Sequence, residues 1–146
     1  MRIVKNIFFI IPVAFCFMNM QCDDDSDDYL GVCDQTTVID ESLYDSLESN
    51  NFTILGAEIQ NNCLTIEFGA SGCDGNSWTY QLVDSGAVAE SSPEQRYLKF
   101  ELLNNEACLA YFEKSISFDL TSLQITGSNK IILHIDGYES SLTYTY

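Results

Sequence analysis

The chain has few basic residues, a single histidine and no long hydrophobic run. Its 22 acidic residues outnumber 6 basic ones, which gives a net charge of -16 and argues strongly against nucleic acid as a partner. The sequence contains no serine-hydrolase elbow, no phosphate-binding glycine loop and no HExxH metalloprotease motif. These absences predict a protein that is not an enzyme and that uses no cofactor.

The longest apolar run, residues 7–18, is too short to cross about 30 Å of hydrocarbon as a helix. Arg2 and Lys5 precede this run, and Cys22 with an acidic stretch follows it. The order of positive charge, apolar run and cysteine is typical of an export signal. We therefore predict a lipoprotein signal peptide over residues 1–21 and lipidation at Cys22, where more than one acyl chain would anchor the protein stably.

The residues before Cys22 leave an alternative open. A lipoprotein signal usually places a small residue directly before the cysteine and a branched apolar residue three positions before it, whereas this chain has Gln21 and Asn19. Cleavage nearby by an ordinary signal peptidase would leave Cys22 as an unpaired thiol in a secreted protein. Cys16 is a weaker lipid acceptor because bulky Phe15 precedes it.

The mature chain would consist of a tether and one domain. Removal of residues 1–21 leaves four basic residues against 22 acidic ones, a net charge of -18. Residues 22–35 are too polar to fold alone and predict a flexible tether behind the lipidated cysteine. Residues 36–146 are long enough for a single domain with its own core. The negative charge also disfavours binding to anionic headgroups, so attachment to the membrane would depend on the lipid anchor rather than on the protein surface.

Apolar and polar residues alternate with a period of two along most of residues 36–146, which predicts short strands. Val38 and Ile39 indicate a first strand, and residues 41–49 a helical turn or a loop. Residues 52–60 and 64–68 predict a hairpin through Asn61 and Asn62, and residues 69–76 predict a turn. We expect an all-β fold: an antiparallel, Ig-like two-sheet sandwich of about seven to eight short strands, although the sequence separates a sandwich from a barrel poorly.

Four cysteines remain after Cys22, and an even number in an exported chain predicts two disulfides. If successive strands alternate in direction, Cys73 and Cys108 lie on equivalent connections, whereas Cys33 and Cys63 lie at the opposite end. The expected pairs are Cys33 with Cys63 and Cys73 with Cys108, one of three possible connectivities. The cysteine spacings contain no paired C-x-x-C element, and the only histidine is distant, so we expect no metal site.

Residues able to support catalysis are sparse. His134 lies on the face of its strand opposite Ile131 and Leu133, which predicts a solvent-facing or edge position rather than a catalytic one. Glycoside hydrolysis needs two carboxyl groups about 5–10 Å apart. Four acids could supply such a pair: Glu67, Glu101, Asp119 and Asp136. With 22 acidic residues in the chain, however, a pair at this distance is expected by chance.

Two acidic segments invite a calcium interpretation. The run that starts at Asp23 lacks the glycine and glutamate that an EF-hand requires at its sixth and twelfth positions, so a solvated tether is favoured. Asp74, Gly75 and Asn76 are better explained as a turn beside a disulfide.

Aromatic residues can line a sugar- or peptide-binding surface. Packing in the core or on a sheet face is nevertheless favoured for Trp78, Tyr80, Tyr97, Tyr111, Tyr138, Tyr144 and Tyr146.

The acidic CDDDSDD segment after the signal resembles the surface-export tag of Bacteroidota lipoproteins. Four body segments are similar to small, flavobacterial-type lipoproteins of unknown function from that phylum: CLTIEFGASGCDGNSW, NNEACLAY, SFDLTSLQ and LTYTY. The resemblance covers most of the mature chain and brings no catalytic residues with it. It implies an outer-membrane lipoprotein that faces the cell exterior.

Together, the sequence predicts a lipid-anchored envelope lipoprotein that acts as a non-catalytic binding or accessory module. Its partners would be the membrane, through the lipid anchor, and a protein or glycan ligand of unknown identity and binding residues. A purely structural envelope protein and, less favoured, a small secreted hydrolase with paired carboxylates are the alternatives. An exposed aromatic patch would favour binding, whereas a concave pocket with two converging acids would favour the hydrolase.

Overall fold

The computed structural model describes residues 32–48 and 51–146. Most of these residues lie in strands, with one short helix and one 3-10 turn. The elements in chain order are β1 (Gln35–Thr36), β2 (Val38–Ile39), α1 (Glu41–Ser46), β3 (Thr53–Gln60), β4 (Cys63–Gly72), β5 (Thr79–Ala89), β6 (Glu94–Leu103), β7 (Ala110–Asp119), the 3-10 turn (Thr121–Leu123), β8 (Lys130–Ile135) and β9 (Leu142–Thr145).

The strands form two sheets packed face to face. One sheet has the order β1-β7-β4-β3 and the other the order β2-β5-β6-β8-β9. The predicted all-β sandwich with two disulfides is therefore confirmed. The sheets are mixed rather than wholly antiparallel, because β1 pairs in parallel with β7, β2 with β5 and β6 with β8. The two-residue strands β1 and β2 raise the number of strands in the described residues to nine.

The first described residues connect the two sheets. Chain residues 35–36 extend one sheet and residues 38–39 extend the other, as predicted for Val38 and Ile39. Just before them, Asp34 Oδ2 accepts hydrogen bonds from the backbone nitrogen of Ser117 at 2.9 Å and from its hydroxyl at 2.6 Å. These bonds hold the pKa of Asp34 below its usual range. Residues 33–35, placed in the tether by their polarity, are thus attached to the sandwich.

The β3–β4 hairpin and helix α1 occur where the sequence predicts them, and local interactions explain both. The β3–β4 hairpin turns through Asn61, whose φ of 54° lies in the left-handed region that asparagine tolerates. Asp40 caps α1 by accepting a hydrogen bond from the backbone nitrogen of Leu43 at 2.9 Å. At the other end of α1, Lys99 donates to the carbonyl of Tyr44 at 3.0 Å. Across residues 32–48 and 51–146, no helix is long and apolar enough to cross a membrane.

The prediction of a turn over residues 69–76 is wrong for residues 69–72, because β4 continues to Gly72. The glycines there serve close packing rather than a reversal of the chain. A β-carbon at Gly72 would overlap the Trp78 ring and the Glu106 carboxylate, and one at Gly69 would overlap the Tyr111 ring. Composition alone does not distinguish such glycines from those of a turn.

The core lies between the two sheets and consists of the inward-facing residues of the longer strands. Phe68 and Phe100 contact each other in its centre, with ring centroids 5.0 Å apart and ring planes tilted by 48°, and Phe118 contacts Phe100 edge-on at 6.0 Å. The buried cluster comprises Leu64, Ile66, Phe68, Ala70, Trp78, Leu82, Leu98, Phe100, Leu102, Phe118, Leu120, Leu123, Ile131, Leu133, Ile135 and Tyr144. The alternating pattern of the sequence identified most of these positions.

Both predicted disulfide pairs are confirmed. Cys33 is bonded to Cys63, with α-carbons 5.6 Å apart, and Cys73 is bonded to Cys108, with α-carbons 4.7 Å apart. The second bond joins the two connections that cross between the sheets at one end of the sandwich. Each bond is expected to contribute about 2–4 kcal/mol by restricting the unfolded chain.

Candidate functional site

An open cleft of about 490 Å³ lies at the end of the sandwich that carries the Cys73–Cys108 disulfide. Its floor is the last part of β4, one side is the start of β3, and the other side is the connection from β6 to β7. The lining residues are Asn51, Phe52, Thr53, Gly69, Ala70, Ser71, Asn104, Glu106, Ala107, Cys108, Leu109 and Tyr111. The volume lies within the range of small-molecule sites, about 300–1,000 Å³.

Two aromatic residues line this cleft: Phe52 packs against Phe100 of the core, whereas Tyr111 is exposed. It stands opposite Ser71 in the β4–β7 pairing, and its ring leans diagonally across the sheet to cover Gly69. The absence of a side chain at Gly69 lets the ring lie on the sheet, while 56% of Tyr111 remains exposed to solvent. The neighbouring Leu109 is 91% exposed. The cleft therefore presents apolar surface next to a polar sheet face.

Glu106 forms the closed end of the cleft wall. Its Oε2 accepts hydrogen bonds from three consecutive backbone nitrogens, those of Cys73 at 2.5 Å, Asp74 at 3.2 Å and Gly75 at 3.1 Å. Its Oε1 accepts from the Ser77 hydroxyl at 2.7 Å. The Ser77 hydroxyl and these backbone groups lower the pKa of Glu106 to about 2. This carboxylate is ionised and already hydrogen-bonded at neutral pH.

Further bonds fix the same wall. The Asn104 side chain donates to the Ser71 carbonyl at 2.8 Å and accepts from the Glu106 backbone nitrogen at 2.9 Å. Lys114 donates to the Gly75 carbonyl at 2.5 Å, and its ammonium group lies 5.1 Å from the centre of the Trp78 ring. Together with the disulfide, these contacts join the β6–β7 connection and β7 to the turn that follows β4.

Replacement of Glu106 by glutamine is expected to loosen this wall. A glutamine offers one accepting oxygen and no charge, so all four donors that surround the carboxylate would lose their charged acceptor. Because folding lowers the pKa of Glu106, its stabilisation is present above the ordinary value near 4.5 and is lost as the pH falls through about 2. We expect faster amide hydrogen exchange at residues 73–75 in Glu106→Gln at neutral pH.

Glu113→Gln is the matched control for this experiment, because Glu113 is an exposed acid of β7. Its exchange rates at residues 73–75 should equal those of the wild type. Equal rates in Glu106→Gln and wild type would show that the carboxylate does not hold the wall.

The four acids considered for glycoside hydrolysis do not converge. Glu67 and Glu101 lie on strands of opposite sheets and point outward, away from each other. Glu101 accepts a hydrogen bond from Gln81, and Asp119 Oδ1 accepts from the backbone nitrogen of Thr121 at 2.8 Å and from its hydroxyl at 2.6 Å. Asp136 follows β8 at the surface. The described residues thus supply no pair of these acids across a shared pocket.

His134 lies on the outer face of β8, as predicted. Its ring stacks on Tyr97 at a centroid distance of 5.1 Å and an interplanar angle of 18°. Its Nε2 lies 2.7 Å from Oε1 of Gln95. Both contacts join β8 to β6, so His134 supports the outer surface of the five-stranded sheet.

The two segments considered for calcium differ in what the structure describes. The acidic run that starts at Asp23, like Cys22, lies outside the described residues. Asp74 Oδ1 accepts from the Asn76 backbone nitrogen at 2.8 Å, which is the geometry of a turn. Within residues 32–48 and 51–146, no three histidine, cysteine or acidic side chains are grouped as metal ligands.

Most of the aromatic residues considered for binding pack in the sandwich. Trp78 and Tyr144 are buried. Three more tyrosines pack against the core, namely Tyr80, Tyr138 and Tyr146. Only two of the seven residues are largely exposed: Tyr97 on the five-stranded sheet and Tyr111 in the cleft.

The sequence reasoning missed a buried ion pair between β5 and β6, neighbouring strands of the five-stranded sheet. Arg96 Nη1 donates to Asp84 Oδ1 at 2.9 Å, and the backbone nitrogen of Gly86 donates to the same oxygen at 2.7 Å. Burial raises the pKa of Asp84, while Gly86 and Arg96 oppose the rise. The sequence does contain a sign of this pair. Asp84 and Arg96 continue the inward-facing positions of Leu82 and Leu98 in their strands, where an apolar residue is expected.

Comparison with solved structures shows the fold at low sequence identity. An uncharacterised DUF1344 protein from Bacteroides vulgatus aligns with 80% of this chain at 16% identity and a TM-score of 0.53. A toxin-related protein from Parabacteroides distasonis aligns with 77% at 17% identity and a TM-score of 0.51. A NigD-like immunity protein from Bacteroides caccae aligns with 76% at 11% identity and a TM-score of 0.54.

This chain covers only 58%, 59% and 64% of the lengths of those three structures. The likeness therefore concerns the sandwich rather than the whole of each neighbour. No protein-family model matches the sequence, and no curated protein matches it significantly.

Proposed function

We propose that this protein is a lipid-anchored module of the bacterial outer membrane that faces the cell exterior and binds a ligand without transforming it. The observation that carries the binding role is the open cleft with its exposed aromatic residue, Tyr111. A purely structural envelope protein would not need a shaped cleft whose wall is held by a disulfide and by the bonds of Glu106 and Asn104.

The chemistry of the cleft supports binding over hydrolysis. A hydrolase with paired carboxylates needs two acids that face the substrate. The cleft lining contains one acid, Glu106, and both of its oxygens accept hydrogen bonds from the adjoining turn. A carboxylate held in this way, with its pKa lowered to about 2, is a poor proton donor or acceptor at neutral pH.

The structural neighbours support the same proposal. They are a protein of unknown function, a toxin-related protein and a NigD-like immunity protein, and none of these descriptions names an enzymatic activity. All three come from Bacteroides or Parabacteroides species, while the CDDDSDD segment resembles a lipoprotein export tag. The anchor at Cys22 and the outward orientation rest on the sequence pattern.

Metabolic labelling with a fatty-acid analogue tests the anchor. The full chain is expected to carry the label, because Cys22 follows the apolar run and precedes the acidic tether. Cys22→Ala should abolish labelling, and the matched variant Cys16→Ala should keep it. Protease treatment of intact cells should remove the wild-type domain from the surface.

Two results would contradict the proposed location. Label retained in Cys22→Ala would place the lipid elsewhere or exclude lipidation at this cysteine. A labelled domain that resists protease on intact cells but is cleaved after lysis would face the cell interior or the periplasm.

A further inference from the structure

The cleft lining contains one charged side chain, the ionised carboxylate of Glu106. Its lining contains no lysine or arginine, and its one carboxylate, that of Glu106, is hydrogen-bonded to the turn. An anionic ligand would find no cation there and would be repelled by a chain of net charge -16. A cationic ligand would meet a single carboxylate there, that of Glu106, which already accepts four hydrogen bonds from the adjoining turn. The lining is therefore complementary to an uncharged ligand.

Tyr111 provides an exposed aromatic ring in this cleft. The hydroxyl end of its ring lies over Gly69, in the space that a β-carbon at that position would occupy. Because 56% of Tyr111 is exposed, much of the ring is accessible to a ligand. Aromatic faces pack well against flat groups that present C–H bonds, and the apolar face of a sugar ring is such a group.

Hydroxyl groups lie beside this ring. Thr53 of β3 pairs with Gly69, and Ser71 lies two residues further along β4, so both side chains emerge on the face that Tyr111 covers. Neighbouring strands are about 4.8 Å apart, and residues two apart in a strand are about 7 Å apart. These hydroxyls can donate to and accept from ligand hydroxyls around the ring.

A second hollow, of about 290 Å³, extends the same sheet face and is lined by Leu55, Glu67, Glu113, Lys114 and Ser115. The carboxylates of Glu67 and Glu113 can accept hydrogen bonds from sugar hydroxyls. They would also repel acidic polysaccharides. The extension suits a chain of several neutral sugar units rather than an isolated one.

We propose that the cleft centred on Tyr111 binds a neutral glycan, with Tyr111 as the stacking platform and Thr53 and Ser71 as hydrogen-bonding groups. This proposal rests on the proposed function and names its ligand class and site. The wall fixed by Glu106 and the disulfide lowers the conformational cost of binding. Gly69 acts indirectly, because a side chain at that position would displace the Tyr111 ring.

Affinity electrophoresis of the full chain tests the proposal. The protein is solubilised in a detergent without sugar groups and run through gels that contain dextran, xylan, galactomannan or mixed-linkage β-glucan, with polygalacturonate as the acidic comparison. We expect retardation by at least one neutral polysaccharide and none by polygalacturonate. Tyr111→Ala should weaken the retarding interaction about tenfold, whereas Tyr111→Phe should retain most of it.

Gly69→Ala is the decisive variant, because it keeps Tyr111 but prevents the ring from lying on the sheet. It should reduce binding about as much as Tyr111→Ala. The backbone at Gly69 is not in the left-handed region, so alanine is compatible with the strand, and the midpoint of thermal unfolding should not fall by more than a few degrees. Tyr97→Ala, which removes the exposed tyrosine of the other sheet, should leave binding unchanged.

Three results would overturn this inference. They are the absence of retardation in every neutral gel, binding that Tyr111→Ala and Gly69→Ala do not alter, and Tyr111-dependent binding of a basic peptide library in place of the polysaccharides. The last two would still leave a binding module. The lipid anchor is tested separately, by fatty-acid labelling and protease treatment of intact cells, so a missing anchor is distinguishable from a lack of glycan binding.

Discussion

Arg96→Met is expected to lower the free energy of unfolding by about 3–5 kcal/mol at neutral pH. Arg96 is the charged partner of Asp84, whose side chain is completely buried. Methionine fills similar space but leaves the Asp84 carboxylate with the Gly86 backbone nitrogen as its remaining donor. The cost is that of an uncompensated buried charge, and urea denaturation followed by far-ultraviolet circular dichroism measures it.

The same variant should show a defined pH dependence. Burial already raises the pKa of Asp84, and loss of Arg96 removes an interaction that lowers it. A carboxyl group with a raised pKa in the folded state binds a proton more tightly there than in the unfolded state. Stability therefore rises as the pH falls from above the folded pKa towards the unfolded value. The deficit of Arg96→Met should be smaller at pH 5 than at pH 8.

The double variant Asp84→Leu with Arg96→Met is the control. Replacement of both charges by apolar groups removes the buried charge, so its stability should be close to that of the wild type or above it. A loss of less than about 1 kcal/mol in Arg96→Met, or a deficit that does not change with pH, would show that Asp84 reaches water without its partner.

Phe68→Ala is expected to cost about 3–5 kcal/mol. Phe68 is fully buried at the centre of the sandwich, with its ring centre 5.0 Å from that of Phe100 and 5.4 Å from that of Tyr80. Alanine would leave a cavity between the two sheets that rings from both sides cannot fill. The loss is measured by urea denaturation, and Phe68→Leu should cost less because it leaves a smaller void.

Leu109→Ala is the matched surface control for Phe68→Ala. Leu109 is 91% exposed, so its truncation should change the free energy of unfolding by no more than about 0.5 kcal/mol. Equal effects of Phe68→Ala and Leu109→Ala would contradict the position of Phe68 in the core.

Period-two alternation is a local signal, and it predicted the strands that face a single core. Ile131, Leu133 and Ile135 all point inward, with His134 on the outer face as expected. The Asn61 turn is equally local. The parallel pairings are not, because they depend on which distant strands become neighbours. The two-residue strand at Gln35 escaped prediction because it gains its regularity only by pairing with β7.

The cleft was beyond sequence reasoning for a related reason. Tyr111 and Gly69 are 42 positions apart in the sequence, and the value of Gly69 lies in the space that it leaves for a distant ring. Glu106 could be recognised as an acid near Cys108. Its role depends on three backbone nitrogens of the Cys73 turn, which come within reach only when the disulfide connections meet.

Binding of fluorescent neutral polysaccharides to intact cells tests most directly that this protein is a surface-exposed binding module. Cells that express the full chain are incubated with labelled dextran, xylan, galactomannan and mixed-linkage β-glucan, before and after protease treatment of the surface. The account predicts that at least one polysaccharide binds, and that binding is lost after protease treatment and in cells that express Tyr111→Ala. Polysaccharide binding no greater than that of cells without the protein, or binding unchanged by protease treatment, would contradict it.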